Sequence, residues 1–341
     1  MKLVSYLKDE HEQLAILEEG LLYDMDMIHP DLPNSINFFL NYWDELLPMV
    51  QAAEIAIREG HISSNKGIPI DRVQIMAPIP SPPSCRDGYA FRQHVAAARR
   101  NRRVPMIPEY DEYPIFYFTN HHSIQGPGAI RCMPDHLKKL DFELEVAIVI
   151  SMHGRNIRAE DADSYIAGLM IMNDMSARQL QMEEMLLNLG PAKGKDFATV
   201  IGPWLVTLDE LEPFETPCME GHTGKSWNLP MRCRVNGRQV SEGNLADMEW
   251  TFAELIERAS YGADLYPGDV IGSGTVGTGC FLELNGTGKL NDPDYPEQWL
   301  QENDVVEMEV EGLGRLQNTI VKEEETFSLL EKKKSKQPHH Q

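Results

Sequence analysis

The sequence is short of positive charge: 31 Lys and Arg stand against 53 Asp and Glu, a formal net charge of −22. A polyanion needs a concentrated cationic surface, so neither DNA nor RNA is expected as a partner. The one dense basic run, Arg99-Arg100-Asn101-Arg102-Arg103, closes a helical pattern, where cations complement the helix dipole. Its alternative use is to steer an anionic substrate. Cysteine is scarce and scattered: Cys85, Cys132, Cys218, Cys233 and Cys280 are odd in number and contain no CxxC pair. That excludes a disulfide framework or zinc knuckle and fits a reducing cytosol. No apolar run approaches the ~20 residues that span a bilayer, and MKLVSYLKDEHEQ lacks the apolar core of a signal peptide. A soluble, cytoplasmic protein without a membrane partner is expected. A dinucleotide site is missing too. Residues 272–277, GSGTVG, match the spacing GxGxxG, but the residues after them, from Gly279 to Leu284, read as a strand where that motif requires a helix.

What is present suffices for a large core, with 42% hydrophobic and 25% charged residues over 341 positions. Residues 1–72 form the expected small N-terminal domain, with a helical pattern, INFFLNYWDELLPMVQAAEIAIREG, interrupted by Pro48. They hold no cluster of chemically useful residues, so a structural or interaction use is expected. The Pro- and Ser-rich loop APIPSPPSCRDG (77–88) marks the start of the main unit, 73–330, and YAFRQHVAAARRNRR after it reads as a helix. From residue 104 onward come short β-like runs: PIFYFTN, LDFELEVAIVI, FATVIGPWLVT, MRCRVNG, DVIGSGT, CFLELNGTG and VVEMEVEGLG. A helix from Ala159 through Tyr165 and an amphipathic one over 245–260 interrupt them. The last residues, 331–341, read as a polar tail. The fold class is β-rich α+β, without the strand–helix alternation of a doubly wound sheet.

Chemistry concentrates in four carboxylates. In DFELEVAIVI (141–150), period-two alternation puts Phe142, Leu144, Val146, Ile148 and Ile150 on one face and Glu143 and Glu145 together on the other. Buried like charges about 7 Å apart must be relieved by protonation, by bases or by a cation. Asp174 ends the apolar run AGLMIM and either caps the helix that follows or points into a cleft. Asp87 is either an acid at the start of a helix or a ligand. His94 follows it by seven residues, two helical turns, which would place both on one face; a lone helical histidine is otherwise a structural residue. Oxygen ligands without a Cys or His cluster suit a hard cation, Mg²⁺, Mn²⁺ or Ca²⁺, rather than zinc.

These segments, Asp87-Gly88-Tyr89 with His94, DFELEVAIVI, NDMSARQLQ, KGKDFATVIGPWLVT, SGT and FLEL, resemble in order and spacing the fumarylacetoacetate hydrolase superfamily, from about residue 77 to 325. The resemblance implies a mixed β-sandwich roll, a homodimer, and Mg²⁺ or Ca²⁺ held by Asp87, Glu143, Glu145 and Asp174, with Lys195 and Thr199 beside it. It implies His94 and Glu283 as a water-activating dyad, and Arg178, Gln181 and Lys195 around a developing oxyanion. Tyr89, Arg103, Tyr117, Gln181 and Thr275 match substrate-contacting positions. The implied substrate is a small anionic β-diketo or 2-oxo acid, cleaved by hydrolysis at a carbon–carbon bond. Oxaloacetate decarboxylation, tautomerisation and dienoate isomerisation are alternatives on the same metal site. Met185 stands where the fumarylacetoacetate-specific enzymes carry a second tyrosine, so the resemblance leaves the particular substrate open.

Overall fold

In the computed structural model, which describes residues 1–333, the chain opens on an antiparallel meander of β1 (Lys2–Lys8), β2 (His11–Glu18) and β3 (Leu21–Asp24). Most of the expected tail, 331–341, lies outside the described residues. The helical pattern that follows the meander becomes two helices, Ile36–Asn41 and α1 (Trp43–Arg58): the break falls at Tyr42, and Pro48, expected to interrupt the pattern, lies inside α1. Asp44 and Glu45 in its first turn and Arg58 in its last complement the dipole. After the proline-rich loop come β4 (Cys85–Gly88), α2 (Arg92–Asn101), β5 (Phe116–Thr119), β6 (Gly128–Cys132), β7 (Leu140–Asp141) and β8 (Leu144–Ile150). Next are β9 (Ile166–Asp174), β10 (Ser176–Ala177), α3 (Arg178–Met185), β11 (Thr199–Thr207), β12 (Pro230–Val235) and β13 (Arg238–Asn244). The chain closes with α4 (Phe252–Ser260), β14 (Val270–Gly272), α5 (Phe281–Asn291), β15 (Val305–Val310) and β16 (Gly314–Lys322).

The strands form a β-rich α+β fold built on two mixed sheets. The larger, twelve-stranded sheet runs from the short strand Ile68–Pro69 through β3-β2-β1-β11-β9-β8-β14-β4-β5 along its main path, and a five-stranded sheet runs β13-β12-β15-β16-β6. β1 pairs with β11 through Lys2↔Val206 and Leu3↔Leu205, so the first residues extend the central sheet.

β8 lies between β9 and β14 and is buried along its whole length, which explains its near-continuous apolar sequence. Its even-numbered side chains, Leu144 to Ile150, join Trp227 and Phe252 in the larger core; Ala147 and Val149 on the other face join Leu40, Val50 and Ile57 in the core under α1. Each such Val or Ile side chain contributes about 1.5–3 kcal/mol. The sheet's interior therefore fixes the position of its C-terminal and N-terminal strand ends, where the acids sit.

Three local expectations are corrected by the structure. FLEL (281–284) is the first turn of helix α5 and not a strand. Asp87 lies on strand β4, so it does not share a helix face with His94 on α2. The helix expected over 245–260 starts only at Phe252, where Thr251 and Glu254 form a reciprocal capping box.

A buried histidine gives the fold an acid-sensitive point. His136 is buried, stacks on Phe197, and its Nδ1 accepts from the Met133 N–H at 3.2 Å, which needs the neutral ring. Burial, reinforced by the charge of Lys193, pushes its pKa from 6.5 down to about 4. Below pH 6.5 the unfolded chain takes up this proton before the native one, so stability is fully present above that pH and is lost as pH falls toward about 4. The expected loss is on the order of 3 kcal/mol. Urea unfolding of wild type and His136→Leu at pH 7 and pH 4.5 checks it: the two proteins should converge in stability at the lower pH.

Candidate active site

The site lies where β4, β8, β9 and β14 end together. Leu144↔Asn173 pairing brings Glu143 and Glu145 beside Asp174, and Gly272↔Asp87 pairing brings β4 alongside. Asp87, Glu143, Glu145 and Asp174 are all buried, with Glu145 and Asp174 wholly inaccessible. Asp87, Glu143 and Glu145 each present an oxygen within 4.8 Å of the others. All four acids read from the sequence therefore converge.

Two cations hold part of this charge. Lys195 Nζ donates to Asp174 Oδ2 at 2.7 Å and to Glu143 Oε2. Arg178 Nη2 donates to Glu143 Oε1 at 2.7 Å and Nη1 to Gln181 Oε1 at 3.0 Å. Burial alone would raise the Glu143 pKa, but Lys195 and Arg178 outweigh it and hold the carboxyl at about 2. Lys195 is likewise kept charged: Asp174 and Glu143 overcome its desolvation. Asp87 and Glu145, among the described residues, have no cationic side chain bonded to them: Asp87 accepts from the Gly274 N–H and Glu145 from Thr275. Burial, with the charge of Asp174 beside it, pushes Asp87 up to about 7. Burial and then the charges of Asp87 and Glu143 raise Glu145 well above the carboxylate range, and burial raises Asp174 too.

Glu145 Oε2 and Asp174 Oδ1 are buried without a hydrogen-bond partner. Such orphaned oxygens are costly in a dry site. An all-oxygen donor set with unspent acceptors and excess negative charge fits a hard divalent cation, and Asp87, Glu143, Glu145 and Asp174 are the residues that would hold it. Thr199, paired with Asp174 across β9–β11, bonds Thr119 Oγ1 at 3.1 Å and lines the same end.

The dyad is also assembled. His94 Nδ1 and Glu283 Oε2 are 2.6 Å apart and both residues are buried. Glu283 Oε1 accepts from the Thr278 N–H at 3.0 Å, which fixes the carboxylate's orientation. His94, Glu143 and Cys280 place one ligand atom each within 4.8 Å of one another, so the dyad adjoins the acidic cluster through Glu143. Packing of α2 on α5 makes this possible. Asn101 Nδ2 donates to the Glu283 carbonyl at 3.0 Å, and a Cβ at Gly286 would lie 2.5 Å from that same Nδ2.

The residues matched to substrate contacts fare unevenly. Tyr89 is half-buried, with its ring 5.8 Å from that of His94, centroid to centroid. Tyr117 turns its hydroxyl to Asp174, and Thr275 Oγ1 donates to Glu145 Oε1 at 3.1 Å, so both support the acids directly. Arg103 is exposed, with a left-handed φ of 57° just past the end of α2. Arg102 beside it is exposed as well; burial raises the Tyr89 hydroxyl pKa, and the charge of Arg102 lowers it by less. Sequence reasoning also missed Asp141, a fully buried acid that bonds Arg178 Nε at 2.9 Å. Its position two residues before Glu143 in the same strand segment was the available signal.

A close approach beside Asp87 supplies a prediction. A Cβ on Gly272 would sit 2.5 Å from Asp87 Oδ1 and 2.8 Å from Met172 Sδ. Gly272→Ala is therefore expected to cost about 1–3 kcal/mol by overpacking and to weaken Mn²⁺ binding by displacing Asp87. Calorimetric Mn²⁺ titration of the purified variant checks the second effect.

A β-rich scaffold that gathers buried acids at its strand ends, beside a carboxylate-oriented histidine, defines a class of enzyme-like site with a hard-cation donor set. Residues 84–321 match the family described as fumarylacetoacetate (FAA) hydrolase C-terminal. The chain belongs to the fumarylacetoacetate hydrolase family. Among similar proteins is a mitochondrial oxaloacetate tautomerase of Rattus norvegicus, 30% identical over 336 residues that cover 94% of this chain and 92% of that one. A fumarylacetoacetase of Oryza sativa subsp. japonica is 29% identical over 329 residues, covering 80% and 76%. The solved fumarylacetoacetate hydrolase of Exiguobacterium antarcticum shares the fold, with a TM-score of 0.68 at 24% identity over 95% of this chain and all (100%) of that one. Among the described residues, no helix is long and apolar enough to cross a membrane.

Proposed function

We propose that this protein hydrolyses a carbon–carbon bond in a small β-diketo acid of the fumarylacetoacetate or acylpyruvate type. The observation that carries the reading is the buried His94–Glu283 pair set against the acidic cluster. A divalent cation, Mg²⁺ or a substitute such as Mn²⁺ or Ca²⁺, would supply Lewis acidity toward the substrate's carbonyl oxygens when bound by Asp87, Glu143, Glu145 and Asp174.

The chain's own groups do the rest. Glu283 holds His94 Nδ1, which leaves Nε2 as the base that takes a proton from water. The hydroxide adds to the carbonyl, and the carbon–carbon bond breaks with its electron pair leaving as an enolate. That enolate is protonated from the imidazolium of His94. Arg178 and Lys195 lower the cost of the oxyanion through their charge. Gln181, whose Oε1 already accepts from Arg178, has its amide N–H₂ as the donor for a substrate oxygen. Tyr89, half-buried beside His94, lines the approach for the substrate.

A second reading is favoured by the similarity to the rat oxaloacetate tautomerase. There His94 would carry a proton between carbon and oxygen of an enolisable 2-oxo diacid, with no attack by water. Ultraviolet assays with fumarylacetoacetate, an acylpyruvate and enol-oxaloacetate, each with Mg²⁺ and with EDTA, separate the two. Metal-dependent loss of diketone absorbance with release of two acids supports hydrolysis. Acceleration of oxaloacetate ketonisation alone would replace it with the second reading. We extend the proposal to a cytoplasmic homodimer, which light scattering and fractionation test.

A further inference from the structure

The acid nearest to the cluster that the dyad and cation readings leave unused is Asp141. Its carboxylate takes four hydrogen bonds. Oδ1 accepts from the N–H groups of Phe142 at 3.0 Å and Phe281 at 2.7 Å, while Oδ2 accepts from Leu282 N–H at 2.9 Å and Arg178 Nε at 2.9 Å. That is about the full capacity of a carboxylate.

The partners lie far apart in sequence, and each leads to a different part of the site. Phe281 and Leu282 are the first two residues of α5, whose preceding residue Cys280 makes no side-chain cap. Asp141 therefore caps α5 from 140 positions away, satisfying two orphan donors where a negative charge also suits the dipole. The next residue of that helix turn is Glu283, which orients His94. On the other side, Arg178 opens α3, and its remaining nitrogens reach Glu143 and Gln181. The ladder of β7 and β10, Leu140↔Ala177 and Asp141↔Ser176, braces the start of α3 against the same strand.

We propose that Asp141 is a positioning residue that sets Arg178 and the Glu283-bearing turn in register with one another. The proposal rests on the reading of the site given above, in which His94–Glu283 and Arg178 act on one substrate. Asn at 141 keeps one acceptor oxygen, but its amide N–H₂ then faces donors that already carry hydrogens. Whichever way the amide is turned, one of the two α5 N–H groups loses its acceptor, and with Nδ2 in the place of Oδ2 Arg178 loses its partner together with Leu282, so the two halves of the site are no longer tied to one carboxylate.

The test compares wild type, Asp141→Asn and Arg178→Ala. In Asp141→Asn, kcat is expected to fall about 100-fold, the scale of losing one well-aimed charge-stabilising donor, with KM within about threefold because the substrate's other contacts remain. The buried Arg178 Nε–H is expected to give a slowly exchanging resonance in ¹H–¹⁵N spectra of wild type without substrate, and in Asp141→Asn that resonance is expected to shift or disappear. In Arg178→Ala, millimolar guanidinium is expected to restore activity by occupying the seat between Asp141 and Glu143, and adding Asp141→Asn to that variant should abolish the rescue. A folded Asp141→Asn that keeps both the resonance and a kcat within threefold of wild type overturns the proposal. If that variant does not fold, Arg178→Ala decides: absence of guanidinium rescue overturns the proposal. The spectroscopic readout needs no turnover, so a failure of the assigned reaction leaves it intact and distinguishable.

Discussion

Replacing Lys195 with Met is expected to lower the stability of the metal-free protein by about 3–5 kcal/mol, the cost of leaving buried charges uncompensated. Lys195 Nζ is the shared partner of Glu143 and Asp174, and among the described residues Arg178 would be the one Lys or Arg still bonded to Glu143 and Asp141. Methionine matches the lysine stem in length, so packing is nearly conserved and the effect isolates the charge. Millimolar Mg²⁺ should then stabilise the variant more than it stabilises wild type, since binding to the native state alone shifts the unfolding equilibrium. Urea denaturation with EDTA and with Mg²⁺ measures both quantities. A loss below about 1 kcal/mol, typical of an exposed ion pair, would mean that the cluster is better solvated than its burial implies.

The second large effect is on turnover. His94→Ala is expected to reduce kcat by about 10²–10⁴-fold, the usual contribution of a positioned general base. Glu283→Gln should reduce it less, because the amide still accepts or donates one hydrogen bond but no longer stabilises the imidazolium. Neither variant should change Mn²⁺ affinity by more than a few-fold, since the orphaned oxygens belong to Glu145 and Asp174. Steady-state kinetics on the diketo acid found active, paired with Mn²⁺ titration, gives the comparison. Equal losses of turnover and of metal binding would show that the histidine acts through the cluster instead of as a base.

Much of the acidic cluster was legible because it depends on strand geometry. Period two in DFELEVAIVI dictates that Glu143 and Glu145 share a face; Asp174, read as a helix cap or a cleft acid, instead ends strand β9 beside them. The fold class followed from the dense turn residues between short β-like runs. What stayed hidden depends on contacts distant in sequence. FLELNGTGKLN looks unlike a helix because Gly286 and Gly288 weaken its propensity, yet a Cβ at Gly286 would strike Asn101 and one at Gly288 would strike the Tyr295 ring at 2.6 Å. Close packing against α2 at Gly286 and against Tyr295 at Gly288 has overridden local preference there. Asp87 was misplaced for the opposite reason: four residues of buried strand, CRDG, carry too little pattern to announce themselves. Asp141 shows the limit most clearly. Its neighbours reveal a strand, but its function is to cap a helix 140 residues further on, and nothing in its local sequence encodes that partner. The basic run at the end of α2 is similar: composition marks several arginines, and Arg102 and Arg103 both stay exposed there.

The central claim is that cation binding and proton transfer are separate duties of two adjoining sets of side chains. Electron paramagnetic resonance of Mn²⁺ titrated into wild type, Glu145→Gln and His94→Ala, with turnover of the diketo acid measured on the same samples, tests it most directly. The account predicts that Glu145→Gln loses both Mn²⁺ binding and turnover, while His94→Ala binds Mn²⁺ like wild type and turns over almost nothing. Undiminished Mn²⁺ binding by Glu145→Gln, or undiminished turnover by His94→Ala, would contradict it.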